Sequence, residues 1–336
     1  MFRLKMAEQS YFYTETAFIH QGDVAYLLEL VRASARAGAH GIKFQVIGSY
    51  EAFLSKVNPN YEPFKKAMIS QADWERVFSL CKSLSLDVIF MPCDCLAAEL
   101  ANVQWRHYIR YLDIHPINFI YQPILEIIRE GGIEIILGMG GRTKEEVDEK
   151  ISFFGSQIKV LMFGHQAFPT QLHQSALAKI VLLREAYPDL QIGYADHSPW
   201  QSEWGRHLQS VAYMLGARVF EKHIALVAGE ERFDYITSCD PTSIQEMIAD
   251  IRNLEESGVE TADLHRLNPS EVKYTSRQLK AVAARDLPAG VRIQPADICY
   301  KLIESESGLT FLENPAGKIL QSPLLKDYPF LMNAIT

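Results

Sequence analysis

A closed (β/α)₈ barrel followed by a small β-rich module is the architecture this chain predicts, on three observations. From residue 10 to about residue 255, short β-rich runs alternate with helical patterns, the signature of consecutive βα units. Eight such units in about 245 residues match a closed barrel, whereas an open doubly wound sheet usually holds fewer strands, and no G-x-G-x-x-G follows the first run to mark a dinucleotide site. Past residue 277 the pattern changes to short apolar runs punctuated by Pro288-Ala289-Gly290, Pro295, Gly308, Pro315 and Gly317, the composition of a loop-rich β module.

Taken in order, the strands are expected at 11–18, Gly41–Val46, 87–91, Ile109–Ile114, 133–137, 158–163, 191–194 and 218–223. Between them, the segment 24–37 carries apolar residues at 24, 27, 28 and 31, and 171–186 and 200–215 repeat that helical spacing. Gly38 and Gly216 stand where helix C-caps are expected. The polar stretch around Asn268-Pro269 breaks the alternation, which sets the domains at 1–262 for the barrel, 263–277 for a linker and 278–336 for the second module. That module is marginal in size for a core of its own.

The 336 residues are 48% hydrophobic and 22% charged, ordinary for a soluble protein, and no apolar stretch approaches a membrane span. Met1-Phe2-Arg3-Leu4-Lys5 lacks the apolar core of a secretory signal, so a cytoplasmic location is expected. Five scattered cysteines suit a reducing compartment, and Cys93-x-Cys95 has no second pair at zinc spacing. A net charge of -8 without a basic stripe speaks against nucleic acid as a partner. A small molecule is the expected ligand.

In a barrel the chemistry sits at the C-terminal ends of the strands. Read there, the chain offers Glu15 and His20, Lys43 and Gln45, Asp94, Asp113 and His115, Arg142, His165 and Gln166, Asp196 and His197, then Glu221 and His223. Gly193-Tyr194-Ala195-Asp196-His197-Ser198 and Val219-Phe220-Glu221-Lys222-His223 are both apolar runs that end in an acid and a histidine. On neighbouring strands they would bring two imidazoles to one spot, as a metal site requires; alternatively each histidine caps its own strand. Lys43, between Ile42 and Phe44, meets either an anionic substrate or an internal partner such as Glu15 or Glu221. Gly138-Met139-Gly140-Gly141-Arg142-Thr143 precedes a helix, and is either an anion cradle to which Arg142 adds charge or a tight turn that needs glycine.

These residues carry a family resemblance. Glu15-x-x-x-x-His20-x-Gly22, Ala37-Gly38-Ala39-x-x-x-Lys43-x-Gln45, Ile192-Gly193-Tyr194-Ala195-Asp196-His197-Ser198 and Phe220-Glu221-Lys222-His223 resemble the sialic acid synthase family, which condenses phosphoenolpyruvate with an amino-sugar aldehyde. Phe233-Asp234-Tyr235 is similar to the stretch after the second metal histidine, and Leu279–Gly290 to the opening of the family's antifreeze-like (SAF) domain. The resemblance implies a TIM barrel with a C-terminal SAF domain that caps the partner's barrel in a domain-swapped homodimer. It implies that His197 and His223 ligate Mn²⁺ or Mg²⁺ with Glu221 beside them, and that Glu15, Lys43 and Glu221 form the catalytic set. Lys43 would hold phosphoenolpyruvate, Gln45 would lie near the sugar, and Asp234 would bind sugar hydroxyls. Arg142, His165, Gln166 and Asp196 complete the expected substrate-binding set.

In the implied reaction the metal polarises the open-chain aldehyde, the enol carbon attacks it, and water enters with loss of phosphate to give a 2-keto-3-deoxy acid. The chain departs from the family at Asp113-Ile114-His115-Pro116, where Lys-Ile-x-Ser is usual, and at Met91, Gly138, Gln166 and Ala195. The arginine of the family's SAF motif has no counterpart in 301–304. Replacing a lysine by Asp113 shifts the local charge by two units, and Arg142 and His165 are the groups expected to restore it. The alternatives are other chemistry on the same metal-histidine barrel, such as aldol, isomerase or lyase chemistry on a sugar acid or sugar nucleotide, and a non-catalytic ligand-binding relative.

Overall fold

The structure, a computed structural model, describes residues 9–164, 167–258, 266–275, 277–303 and 307–336. Eight parallel strands follow one another round a closed barrel: β1 (Tyr11–Glu15), β2 (Gly41–Val46), β3 (Asp87–Pro92), β4 (Ile109–Ile114), β5 (Ile135–Gly138), β6 (Ile158–Gly164), β7 (Gln191–Asp196) and β8 (Val219–Ile224). Strand β1 pairs with both β2 and β8, which closes the ring. A two-residue strand, β9 (Ser238–Cys239), extends the pairing beyond β8.

Closure depends on the two-residue alternation of each strand. On β2, Ile42, Phe44 and Val46 face the helices and join the large outer core with Phe12, Phe90, Leu112 and Phe220. The opposite faces pack a separate inner core of Tyr13, Ile89, Ile136, Val160, Met162, Ala195 and Val219. With both faces covered, β8 is buried throughout, as a parallel barrel strand must be. Among the described residues no helix is long and apolar enough to cross a membrane.

Several boundaries differ from the sequence expectation, each for a local reason. The first strand stops at Glu15 because Ala17, at φ 42°, turns the chain. The helix expected over 171–186 forms as Lys179–Ala186 only, since Ala176 sits at φ 46° and breaks the run. That expected over 200–215 begins at Gly205. Gly38 and Gly216 do follow their helices in the left-handed region, at φ 85° and 107°.

The chain divides into two compact units, Met1–Thr261 and Ala262–Thr336. The second contains a short helix, Pro269–Thr275, inside the stretch read as linker, with Asn268 Oδ1 accepting from the backbone N–H groups of Ser270 and Glu271. Its sheet is a two-stranded antiparallel pair, β10 (Lys280–Ala283) and β11 (Ile298–Lys301). Ala281, Ala283, Leu287, Ile293, Leu309, Leu320, Phe330 and Ile335 form its own small core.

Candidate active site

Register explains the site. Parallel pairing sets Glu15 of β1 level with Lys43 of β2 on one side and with His223 of β8 on the other. Each of these residues is on the inward-facing side of its strand, as are Gln45, Glu221 and Asp113. Together they line a cavity of about 290 Å³ at the C-terminal mouth of the barrel, with His197, Asp234, Met162 and Phe168 on its wall.

Lys43 is the hub. Its Nζ lies 2.7 Å from Glu221 Oε2, 2.9 Å from Glu15 Oε2 and 3.5 Å from Asp113 Oδ2, and all four side chains are almost fully buried. Tyr13 donates its hydroxyl to Glu221 Oε2 at 2.6 Å, and Gln45 donates Nε2 to Glu15 Oε1 at 2.7 Å. Burial opposes the charge of Lys43, but the three carboxylates hold its pKa well above the usual lysine value. Burial likewise opposes the charge of Glu15, while Lys43 and then His223 hold that carboxyl well below the usual range. The other two acids move the opposite way. Burial raises Asp113 to about 6 against the pull of Lys43, and raises Glu221 to about 8 with help from Glu15 and Asp113. One ammonium does not neutralise three carboxylates, so the cluster has room for further positive charge.

The two histidines meet above this cluster. The His197 and His223 rings lie 4.9 Å apart between centroids, and Phe168 packs 6.3 and 6.5 Å from them. One ligand atom from each of Glu15, His197, Glu221 and His223 falls within 4.8 Å of the others. His223 Nε2 is 3.2 Å from Glu15 Oε2 yet makes no hydrogen bond, a buried nitrogen aimed at the same point as a carboxylate oxygen. Thr237 Oγ1 lies 3.4 Å from His223 Nδ1 and orients the ring from behind. Two imidazoles with carboxylates suit a borderline or hard divalent cation, and the residues present therefore fit the metal implied by the sequence.

The remaining predicted residues are placed as follows. Gln45 and Asp234 line the cavity with Glu15, Lys43, Glu221, His197 and His223. Asp196 faces the other way: its carboxylate receives Lys222 Nζ at 2.7 Å and Ser198 Oγ at 2.8 Å, a buried group behind the barrel wall. Arg142 is also outside the cavity lining. It donates to Pro116 O at 2.6 Å and stacks on Phe119, 4.9 Å from the ring centre, which leaves the expected restoration of charge without its arginine. His165 and Gln166 lie outside the described residues. Of the wider rim, His20 is buried against Trp74, which drives its pKa down to about 4, and Asp94 accepts from the N–H groups of Gly48, Ser49 and Ala97.

Two participants were missed in the sequence. Tyr13 lies two residues before Glu15 and so shares its face, a signal that period-two alternation carried. Phe168 lies on an irregular loop after β6, where no periodicity marks direction.

A family model described as the NeuB family matches residues 30–262. The chain is 24% identical to the N-acetylneuraminate-9-phosphate synthase of Drosophila melanogaster, with 98% of this chain and 97% of that protein covered. It is 22% identical to the N,N'-diacetyllegionaminic acid synthase of Campylobacter jejuni, covering 91% and 94%. Among solved structures, the putative spore coat polysaccharide biosynthesis protein E of Chromobacterium violaceum superposes with a TM-score of 0.74 at 20% identity, covering 98% of this chain and all of that one. With well over half of its length matched, the chain belongs to the NeuB family as a sialic acid synthase-like member.

Proposed function

We propose that this protein is a metal-dependent synthase that joins a three-carbon enol donor to an open-chain sugar aldehyde, giving a 2-keto-3-deoxy sugar acid of the nonulosonic type. One observation carries the reading: Glu15, His197, Glu221 and His223 converge within 4.8 Å beside a buried lysine, inside the cavity at the barrel mouth. His197 and His223 would hold Mn²⁺ or Mg²⁺, with Glu15 and Glu221 as the adjacent carboxylates. Such a cation supplies Lewis-acid polarisation of a carbonyl oxygen. The chain's own groups do the rest. Lys43, fixed by three acids, adds a protonated donor next to the reacting carbonyl; Gln45 and Asp234 present hydrogen-bonding groups to sugar hydroxyls; Phe168 excludes water from the histidine pair.

The resemblance implies phosphoenolpyruvate as the donor, with phosphate released. Asp113, held on the wall where a phosphate would need positive charge, favours a second reading: aldol chemistry with an unphosphorylated 2-oxo acid on the same scaffold. We also propose that 278–336 is an SAF-type domain, that 263–277 links it to the barrel, and that the protein is a cytoplasmic, domain-swapped homodimer. The test is to incubate manganese-loaded protein with a panel of hexosamine-type aldehydes and either donor, and to look for the condensed keto acid by mass spectrometry. Product from neither donor, with manganese bound, sinks the synthase reading.

A further inference from the structure

The inward-facing side chains at the barrel mouth lie in two layers. Pairing of β1 with β8 sets Tyr13 opposite Glu221 in the lower layer and, two residues on, Glu15 opposite His223 in the upper one. Two residues along a strand rise by about 6.6 Å. The Glu221 carboxylate therefore has to reach up one layer for its ligand atom to come within 4.8 Å of those of Glu15, His197 and His223. Its orientation is not left free. Gln209, on the helix Gly205–Leu215 outside the barrel, donates Nε2 to the Glu221 backbone oxygen at 3.1 Å. From inside, the Tyr13 hydroxyl donates to Glu221 Oε2 at 2.6 Å, between side chains that are both buried.

Lys43 Nζ reaches the same oxygen at 2.7 Å, but its ammonium is divided among Glu221, Glu15 and Asp113. A phenol has one proton to give, and here it goes to Glu221. The Tyr13 ring cannot swing away, because it is packed in the inner core with Ile89, Met162 and Val219 and lies 6.2 Å from the Tyr11 ring. Being neutral, it adds a donor without adding a positive charge that would repel a cation from the same carboxylates. Tyr13 lies below the cavity and is not among its lining residues, so it can act on the site through Glu221.

Resting on the metal-dependent reading above, we propose that Tyr13 is a positioning residue for the metal site, pinning Glu221 Oε2 so that the other carboxylate oxygen is held towards a divalent cation. A partner of this kind behind a ligand fixes its orientation, and its loss lowers metal affinity without removing a ligand. The same strand carries a built-in comparison. Tyr11, two residues earlier on the same face, packs against the same inner core and donates its hydroxyl to a carboxylate oxygen, Asp87 Oδ2, at 2.9 Å. Tyr11 and Asp87 are both absent from the cavity lining. Loss of the Tyr11 hydroxyl removes a tyrosine–carboxylate bond from the barrel interior without touching Glu221.

The test is calorimetric titration of the full-length protein with manganese, with the electron paramagnetic resonance spectrum of the bound ion recorded alongside, for wild type, Tyr13→Phe and Tyr11→Phe. Tyr13→Phe keeps the ring and removes the hydroxyl; should it fail to fold, Tyr13→Met takes its place. The Tyr13 variant is expected to bind manganese about tenfold or more weakly than wild type, with an altered spectrum of the bound ion. Tyr11→Phe is expected to match wild type in both. A Tyr13 variant with wild-type affinity and spectrum overturns the assignment, as does equal weakening by the Tyr13 and Tyr11 variants, which would mark a general loosening of the barrel interior. Failure of wild type to bind manganese would defeat the metal-dependent reading itself, and this assignment with it.

Discussion

Lys43 is the residue on which most of the site's charge depends. Removing it strands Glu15, Glu221 and Asp113 without a counter-charge in a buried volume, so Lys43→Met is expected to cost about 3–5 kcal/mol of stability, with part of the loss recovered on adding manganese. Chemical denaturation with and without the metal measures both effects, and a stability within 1 kcal/mol of wild type (roughly the scatter of surface substitutions) would contradict the hub described here. The histidines give a sharper residue-level outcome. His197→Ala and His223→Ala should each abolish high-affinity manganese binding while leaving the circular dichroism spectrum unchanged, because both rings line the cavity and neither belongs to the apolar cores that hold the barrel together.

The same cluster sets a pH dependence whose sign follows from its shifts. Asp113 and Glu221 are raised to about 6 and 8, and His223 is also raised, so the metal-free folded state binds more protons than the unfolded chain across this window. Their stabilising contribution is complete below the unfolded carboxylate range and is lost as pH rises through the folded values. The melting temperature of metal-free protein should therefore fall between pH 5 and pH 8.5. Manganese competes with those protons, so its affinity should rise over the same interval and its stabilisation should be largest at the alkaline end. A metal-free melting temperature that climbs with pH would show that the acids are not held as described. Glu15 titrates in the opposite sense, but well below this window.

At the level of elements, the ends of strands decide what the site contains. Strand β6 leaves the sheet at Gly164, whose φ of 145° and position 2.2 Å, for an added Cβ, from Ala195 O admit no side chain. Gly164→Ala should displace the end of β6 against β7, destabilising the barrel by about 1–3 kcal/mol and loosening metal binding through His197. A variant with wild-type melting and metal affinity would refute that linkage. The glycine turn after β5 illustrates the converse. From sequence it read equally as an anion cradle or a tight turn; the capping box of Thr143 and Glu146 occupies the helix N-terminus and Arg142 points to Pro116 and Phe119. The sequence had set a strand at 133–137, observed at Ile135–Gly138, and a helix after the glycine turn, observed at Lys144–Phe154, but where a loop arginine points depends on the packing of the neighbouring loop.

For the whole molecule, two units with separate cores occupy 1–261 and 262–336. The second unit's core is small, and the proposed homodimer would give it further surface to bury. Light scattering should then report a mass twice 38.1 kDa. A monomer at micromolar concentration would remove the domain-swapped arrangement from the proposal and leave the barrel site untouched.

Much of this protein was legible in one dimension. Eight βα units, the inward face of each strand and the two segments ending in histidine follow from short-range rules, since a strand alternates its faces every two residues and a helix every 3.6. Glu15, Lys43, Gln45, Glu221, His197 and His223 were placed at the mouth as strand-end residues and Asp234 by the family resemblance, and the structure gathers all seven into one cavity. Only closure of the barrel decided which charges share a volume. The β1–β8 pairing brings Glu15 level with His223 although 208 residues separate them, and β4 brings Asp113 to Lys43. Asp196 faces outward by alternation alone, since Ala195 beside it on β7 is in the inner core, but that its partner there is Lys222 follows from the pairing of β7 with β8. Alternation is a property of each strand alone, whereas the balance of one lysine against three acids belongs to the ring that joins them.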